Sequence, residues 1–220
     1  MNSKQPTEPT TSAPWGNTLY FLARAASRGA ACLVLDKVLS TALSKLLPHL
    51  STSTTESSSN NIAKSLLLGL AIGIPMTLAS TITSFVVQKI FPMKQSKNMD
   101  KLMDILLKDP IAAAIEAPLQ EECLFRGLVQ PVSDRLFSIV LPGQSTLAKN
   151  VSLVFSSCAF GAIHLSNDGN LAQPICATFT GLYLGILKNK YGLGCSIGAH
   201  VTNNTILCLL MRTLFVHDKN

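Results

Sequence analysis

The chain has 220 residues, 47% hydrophobic and only 14% charged, whereas an ordinary soluble domain carries about 25% charged residues. That balance sets aside a soluble enzyme and points to a membrane protein. The net charge of +6 is scattered between apolar runs and does not line one face with aromatics, so no nucleic-acid partner is expected. The six cysteines fall mostly inside apolar segments without a CxxC pair and read as small buried hydrophobes, neither zinc ligands nor a disulfide framework.

Residues 1–17 are polar and rich in Pro, Ser and Thr, which predicts a disordered tail. The first apolar run carries Arg24 and Arg28 and lacks a small-residue cleavage site, so it does not read as a signal peptide. Residues 18–50, interrupted by Arg24, Arg28, Asp36, Lys37 and Lys45, read as an amphipathic or partly buried helical region. The Ser/Thr-rich stretch 51–62 reads as a flexible linker. Residues 63–216 then form the expected membrane-embedded domain. Its first element, 65–88, is uncharged, flanked by Lys64 and Lys89 and interrupted by Pro75, a predicted kink. It is long enough to cross a hydrocarbon core of about 30 Å.

The stretch 111–140 has a helical pattern but holds Glu116, Glu121, Glu122, Arg126, Asp134 and Arg135. Lipid tolerates those groups only where they face a polar cavity or partner helices. Three apolar runs of roughly bilayer thickness follow, at 151–167, 169–187 and 191–211. The expected fold class is all-α: a multi-span integral membrane helix bundle of about four to six helices with an intramembrane polar active site. Its lysine-rich loops, 89–101 and 188–190, are both expected on the cytosolic side.

Inside the apolar segments lie His164 and His200, with Asn204 four residues after His200, so that His200 and Asn204 share one helical face. Glu122 and Arg126 have the same spacing. Asn203 points about 100° away from Asn204 and is expected to lie off the site. A lone polar residue of this kind is as readily explained as hydrogen-bonded glue between helices. Ionisable groups each costing about 2.5–3.5 kcal/mol in a bilayer are better explained, when several occur together, as a convergent site. A carboxylate and an imidazole can hold and deprotonate a water. An imidazole and an amide N–H can donate to an oxyanion, and an arginine four residues on can fix a second glutamate. These are parts for amide hydrolysis by activated water. Cys123 adjoins two carboxylates, a poor setting for a thiolate nucleophile.

The segments APLQEECLFRG (117–127), FGAIH (160–164) and GAHVTNN (198–204) resemble, in order and spacing, the EExxxR, FxxxH and HxxxN motifs of the CAAX prenyl endopeptidase and bacteriocin-processing family of intramembrane proteases, also called the Abi family. The likeness covers roughly residues 105–215. It implies an all-helical intramembrane fold in which Glu121 and His164 activate the water and His200 and Asn204 stabilise the oxyanion. Glu122 and Arg126 take the motif's supporting positions, and Phe160 is the aromatic that positions the second motif. No cofactor and no metal are implied. The substrate class is a membrane-associated polypeptide, prenylated at its C-terminus in eukaryotic relatives, and the protein would sit in the bacterial cytoplasmic membrane or the endoplasmic reticulum. Two rival readings remain at this stage. One is a non-catalytic membrane scaffold or immunity-type protein retaining the fold. The other is a metalloprotease using the same Glu and His side chains as zinc ligands, although the HExxH spacing is absent.

Overall fold

The computed structural model describes residues 59–91, 109–165 and 171–217. The expected tail 1–17, the helical region 18–50 and most of the linker 51–62 lie outside them. The described residues form five helices and no strand: α1 (Ser59–Ile90), α2 (110–140), α3 (Ser145–Ala162), α4 (Ala172–Tyr191) and α5 (Leu193–His217). Helix α1 begins inside the stretch that reads as linker and continues through Pro75. A single residue, Gly192, separates α4 from α5; its φ of 90° lies in the left-handed region that favours glycine.

Helix α5 is the central element. Helix α1 runs parallel to it: Ser65 Oγ, near the start of α1, donates to Tyr191 O just before α5, and Thr202 Oγ1 further along donates to Leu70 O at 3.1 Å. Small residues allow this close approach. A Cβ on Gly198 would collide with Leu66 O, and one on Gly69 with Cys195 O. The apolar core lies where α1, α4 and α5 meet, with Met76, Leu184, Leu187, Cys195 and Ala199 buried together.

Helices α2, α3 and α4 are joined by polar side chains. Ser152 Oγ lies 2.6 Å from Gln130 O and 2.7 Å from Ser133 Oγ, Ser156 Oγ donates to Phe125 O at 3.2 Å, and Gln130 Nε2 donates to Asn189 Oδ1 at 2.9 Å.

Among the described residues two helices are long and apolar enough to cross a membrane, over Ile62–Ile90 and Leu193–Leu214. The expected spans around 151–167 and 169–187 fold as α3 and α4, whose ends carry Lys149, Asn150, Gln173, Lys188, Asn189 and Lys190. Of the two cationic loops, 188–190 lies within the described residues and 89–101 only through its first three. Tyr191 lies beside the start of α1, whereas Lys89 lies near its far end, and 32 residues of helix rise about 48 Å.

Candidate active site

Helix α2 is not uniformly α-helical. Its turns widen over Ala112–Glu116 and Cys123–Val129, where the N–H of Ala117 reaches Ala112 O and that of Gln130 reaches Phe125 O, each five residues back. Each widened stretch precedes a proline, Pro118 or Pro131, whose ring crowds the carbonyl four residues earlier; an extra residue in the turn relieves that clash. Between the two lies Ala117–Glu122, which carries both glutamates of the first motif.

Glu122 is the hub. Its side chain and that of Arg126 are both 0% exposed, and Arg126 Nη1 lies 3.2 Å from Glu122 Oε1. His200 Nδ1 lies 3.0 Å from the same oxygen, so the ring donates its Nδ1–H to the carboxylate. Ser196 Oγ donates to Oε2. Both oxygens are thereby committed. Arg126 is held from the other side: Nη2 donates to Gly181 O at 2.9 Å, and its Cζ lies 4.6 Å from the centre of the Phe160 ring. A Cβ on Gly181 would stand 3.1 Å from that nitrogen, so glycine leaves room for the guanidinium.

Glu121 is in a different position. Its side chain is 25% exposed, and its Oε2 lies 3.7 Å from His200 Nε2, beyond hydrogen-bond length but close enough for one small movement or a shared proton carrier. Both His200 and His164 lie within its electrostatic reach. His164 follows the end of α3, and its Nδ1 is 2.8 Å from Phe160 O. A carbonyl can only accept, so Nδ1 carries the proton and the neutral ring keeps its lone pair on Nε2. The Phe160 ring stands edge-on to both imidazoles, at 4.9 Å from His164 and 5.9 Å from His200.

Asn204 Nδ2 donates to Ala113 O at 3.3 Å, which leaves its second N–H, and its Oδ1 accepts from Asn203 Nδ2 at 3.1 Å. Glu121, Glu122, Arg126, His164 and His200 are thus brought together from α2, α3 and α5, while Asn204 lies one turn beyond His200 on α5, against Ala113 of α2. Two others were missed. Ser196 sits four residues before His200 on the same face, a spacing visible in the sequence but hidden by the commonness of serine. Asn203, expected to lie off the site, is buried and hydrogen-bonded to Asn204, because the neighbouring helix α1 supplies a partner on that side. Among the described residues no three His, Cys, Asp or Glu are grouped so as to hold a metal ion.

Among the described residues this combination defines an all-helical fold with a buried carboxylate, guanidinium and imidazole beneath one more accessible carboxylate. Residues 105–206 match the family described as type II CAAX prenyl endopeptidase Rce1-like, so this stretch is similar to a family of membrane-embedded CAAX-type proteases. The resemblance carried by the three motifs is borne out over this stretch. No curated protein and no solved structure matches the chain.

Proposed function

We propose that the protein is an intramembrane endopeptidase of the glutamate type, which hydrolyses a peptide bond near the end of a membrane-associated polypeptide. Prenylated CAAX C-termini are the substrate class named in the family's description. The supporting observation is the inequality of two adjacent glutamates: Glu122 has both oxygens engaged and no exposure, whereas Glu121 is 25% exposed and faces an imidazole. An engaged carboxylate makes a scaffold. An accessible one can take a proton from water.

In this reading a water held by Glu121 and His164 Nε2 loses a proton to Glu121 as its oxygen attacks the scissile carbonyl. The carbonyl π bond opens to an oxyanion, which accepts from the second N–H of Asn204 and from His200 when its Nε2 carries a proton. Collapse re-forms the carbonyl, breaks the C–N bond and passes the captured proton to the leaving amine. Helices α2 to α4 join α1 and α5 in the membrane, with their polar residues turned to one another and to the site. The bilayer surrounds the exposed apolar face of α1, which carries Leu67, Ile74, Leu78 and Phe85.

The deciding experiment incubates purified, detergent-solubilised protein with a farnesylated CAAX peptide and with the same peptide unprenylated. Wild-type protein is expected to cleave the farnesylated peptide, and Glu121→Gln is expected not to. Equal cleavage by the two proteins would sink the assignment.

A further inference from the structure

A polar relay crosses three helices and ends at Asn204. Ser80 Oγ on α1 lies 2.9 Å from Asn203 Oδ1, Asn203 Nδ2 lies 3.1 Å from Asn204 Oδ1, and Asn204 Nδ2 lies 3.3 Å from Ala113 O on α2. Its polarity is set from its end. Ala113 O can only accept, so Asn204 turns its NH2 towards it and its Oδ1 towards Asn203. Asn203 must then present its NH2 to Asn204 and its Oδ1 to Ser80, which donates. The hydroxyl also lies 3.0 Å from Thr77 O, which has a second donor in Thr81 Oγ1 at 2.8 Å, whereas the buried Asn203 Oδ1 looks to Ser80 at 2.9 Å for its proton. Asn203 is buried, and a buried amide with a unique set of partners has one orientation.

We propose that Ser80 and Asn203 are positioning residues that fix the amide of Asn204 with its second N–H towards the reaction, so that helix α1 completes the site. The inference rests on the oxyanion role proposed for Asn204. Ser80 lies outside the matched residues 105–206, so this contribution belongs to a part of the chain that the family match does not include. Without the relay, an amide rotated by half a turn would offer its oxygen where a donor is needed, and an acceptor facing an oxyanion raises the barrier that a donor lowers.

The alternative is plain glue between α1 and α5, and kinetics separate the two. The full-length protein and the farnesylated peptide are used with Ser80→Ala, Ser80→Thr and Asn203→Leu, the last keeping side-chain size without the donor. Ser80→Ala is expected to lower kcat about 3- to 10-fold, the worth of one hydrogen bond, with KM unchanged. Ser80→Thr keeps the hydroxyl and should restore the rate. Asn203→Leu should lose more, because Asn204 Oδ1 then has no donor from α5. Loss of thermal stability with kcat intact in Ser80→Ala and Asn203→Leu would overturn the proposal. So would an Asn204→Ala variant with wild-type kcat, which by itself marks failure of the oxyanion reading. A second readout needs no substrate: in protein labelled with 15N-asparagine, Ser80→Ala should shift the side-chain amide pair that Asn204→Ala removes. An unmoved pair would overturn the relay whether or not the protein proves to be a protease.

Discussion

Glu122 Oε1 and His200 Nδ1 lie 3.0 Å apart, and this contact ties the first motif on α2 to the third on α5. Because Arg126 approaches the same oxygen at 3.2 Å, one atom receives both a guanidinium and an imidazole. Such an arrangement is stable only while all members are present, since removing one partner of a buried ion pair leaves an uncompensated charge.

The two glutamates should therefore fail in different ways. Glu121→Gln is expected to lose activity by about 10²- to 10⁴-fold, the range of a lost general base, with little change in thermal unfolding. Glu122→Gln leaves Arg126 buried without its carboxylate and should cost about 3–5 kcal/mol of stability. Thermal unfolding and peptide cleavage measured on both variants check the pair. If Glu122→Gln stays as stable as wild type while Glu121→Gln unfolds, the two roles have been exchanged.

His164 makes its structural bond through Nδ1 to Phe160 O, so Nε2 is the nitrogen with chemistry to do. His164→Ala is expected to remove about 10²- to 10⁴-fold of the rate. His164→Asn places an amide N–H where Nδ1–H stood, which can keep the bond to the carbonyl but supplies no basic Nε2. It should fold like wild type and remain as inactive as the alanine variant. Recovery of the rate in His164→Asn would assign His164 a structural part only.

The helices were legible because apolar length is a local property, and the six candidate residues could be singled out because four-residue spacing is one too. The charges at Glu121, Glu122 and Arg126 stood out against an apolar chain, and His200 with Asn204 shared a face by counting alone. Ser196 and Ser80 were not legible, since a serine in a helix gives no sign of whether a carboxylate or a carboxamide will arrive from another element. Asn203 was misread for the same reason: helical phase places it away from Asn204's face, but side chains of adjacent residues can still meet when a third helix closes that side. Loop charge carries no information on which helices run parallel, so the position of Lys89 and Tyr191 near opposite ends of α1 was not legible. That was set by the close glycine contacts between α1 and α5.

Those glycine contacts give a prediction for the scaffold. In Gly198→Ala the new Cβ would strike Leu66 O and stand 2.9 Å from Leu70 N, and backbone atoms cannot step aside as a flexible side chain can. Overpacking of this sort costs about 1–3 kcal/mol. A lowered unfolding temperature is expected, together with a reduced kcat, because Gly198 lies two residues before His200 on the same helix. Gly143, with nothing within 4 Å but a φ of 78°, is the contrast: its alanine variant should lose stability through backbone strain alone and keep the wild-type kcat. Unchanged stability in Gly198→Ala would show that α1 and α5 are not so closely packed.

Metal dependence is the remaining question on which residue type and geometry disagree. Glu121, His164 and His200 are ligand types that suit zinc, with an open fourth position for water. His164 spends Nδ1 on a carbonyl and His200 spends Nδ1 on Glu122, leaving two Nε2 atoms and one carboxylate, and no metal-holding group of three such side chains occurs among the described residues. Ring nitrogens with carbonyl or carboxylate partners are also what zinc-bound histidines show, so hydrogen bonding does not decide; the proposed mechanism, in which Glu121 and His164 activate the water directly, needs no metal. Activity is therefore expected to survive a strong chelator small enough to reach the site, and active protein to contain no stoichiometric transition metal by elemental analysis. Inhibition by added zinc would not contradict this, because excess metal can occupy the same imidazoles and displace the water. About one zinc per active chain, with activity lost on its removal and regained on its return, would instead make Glu121, His164 and His200 ligands and require the water to be activated by the metal.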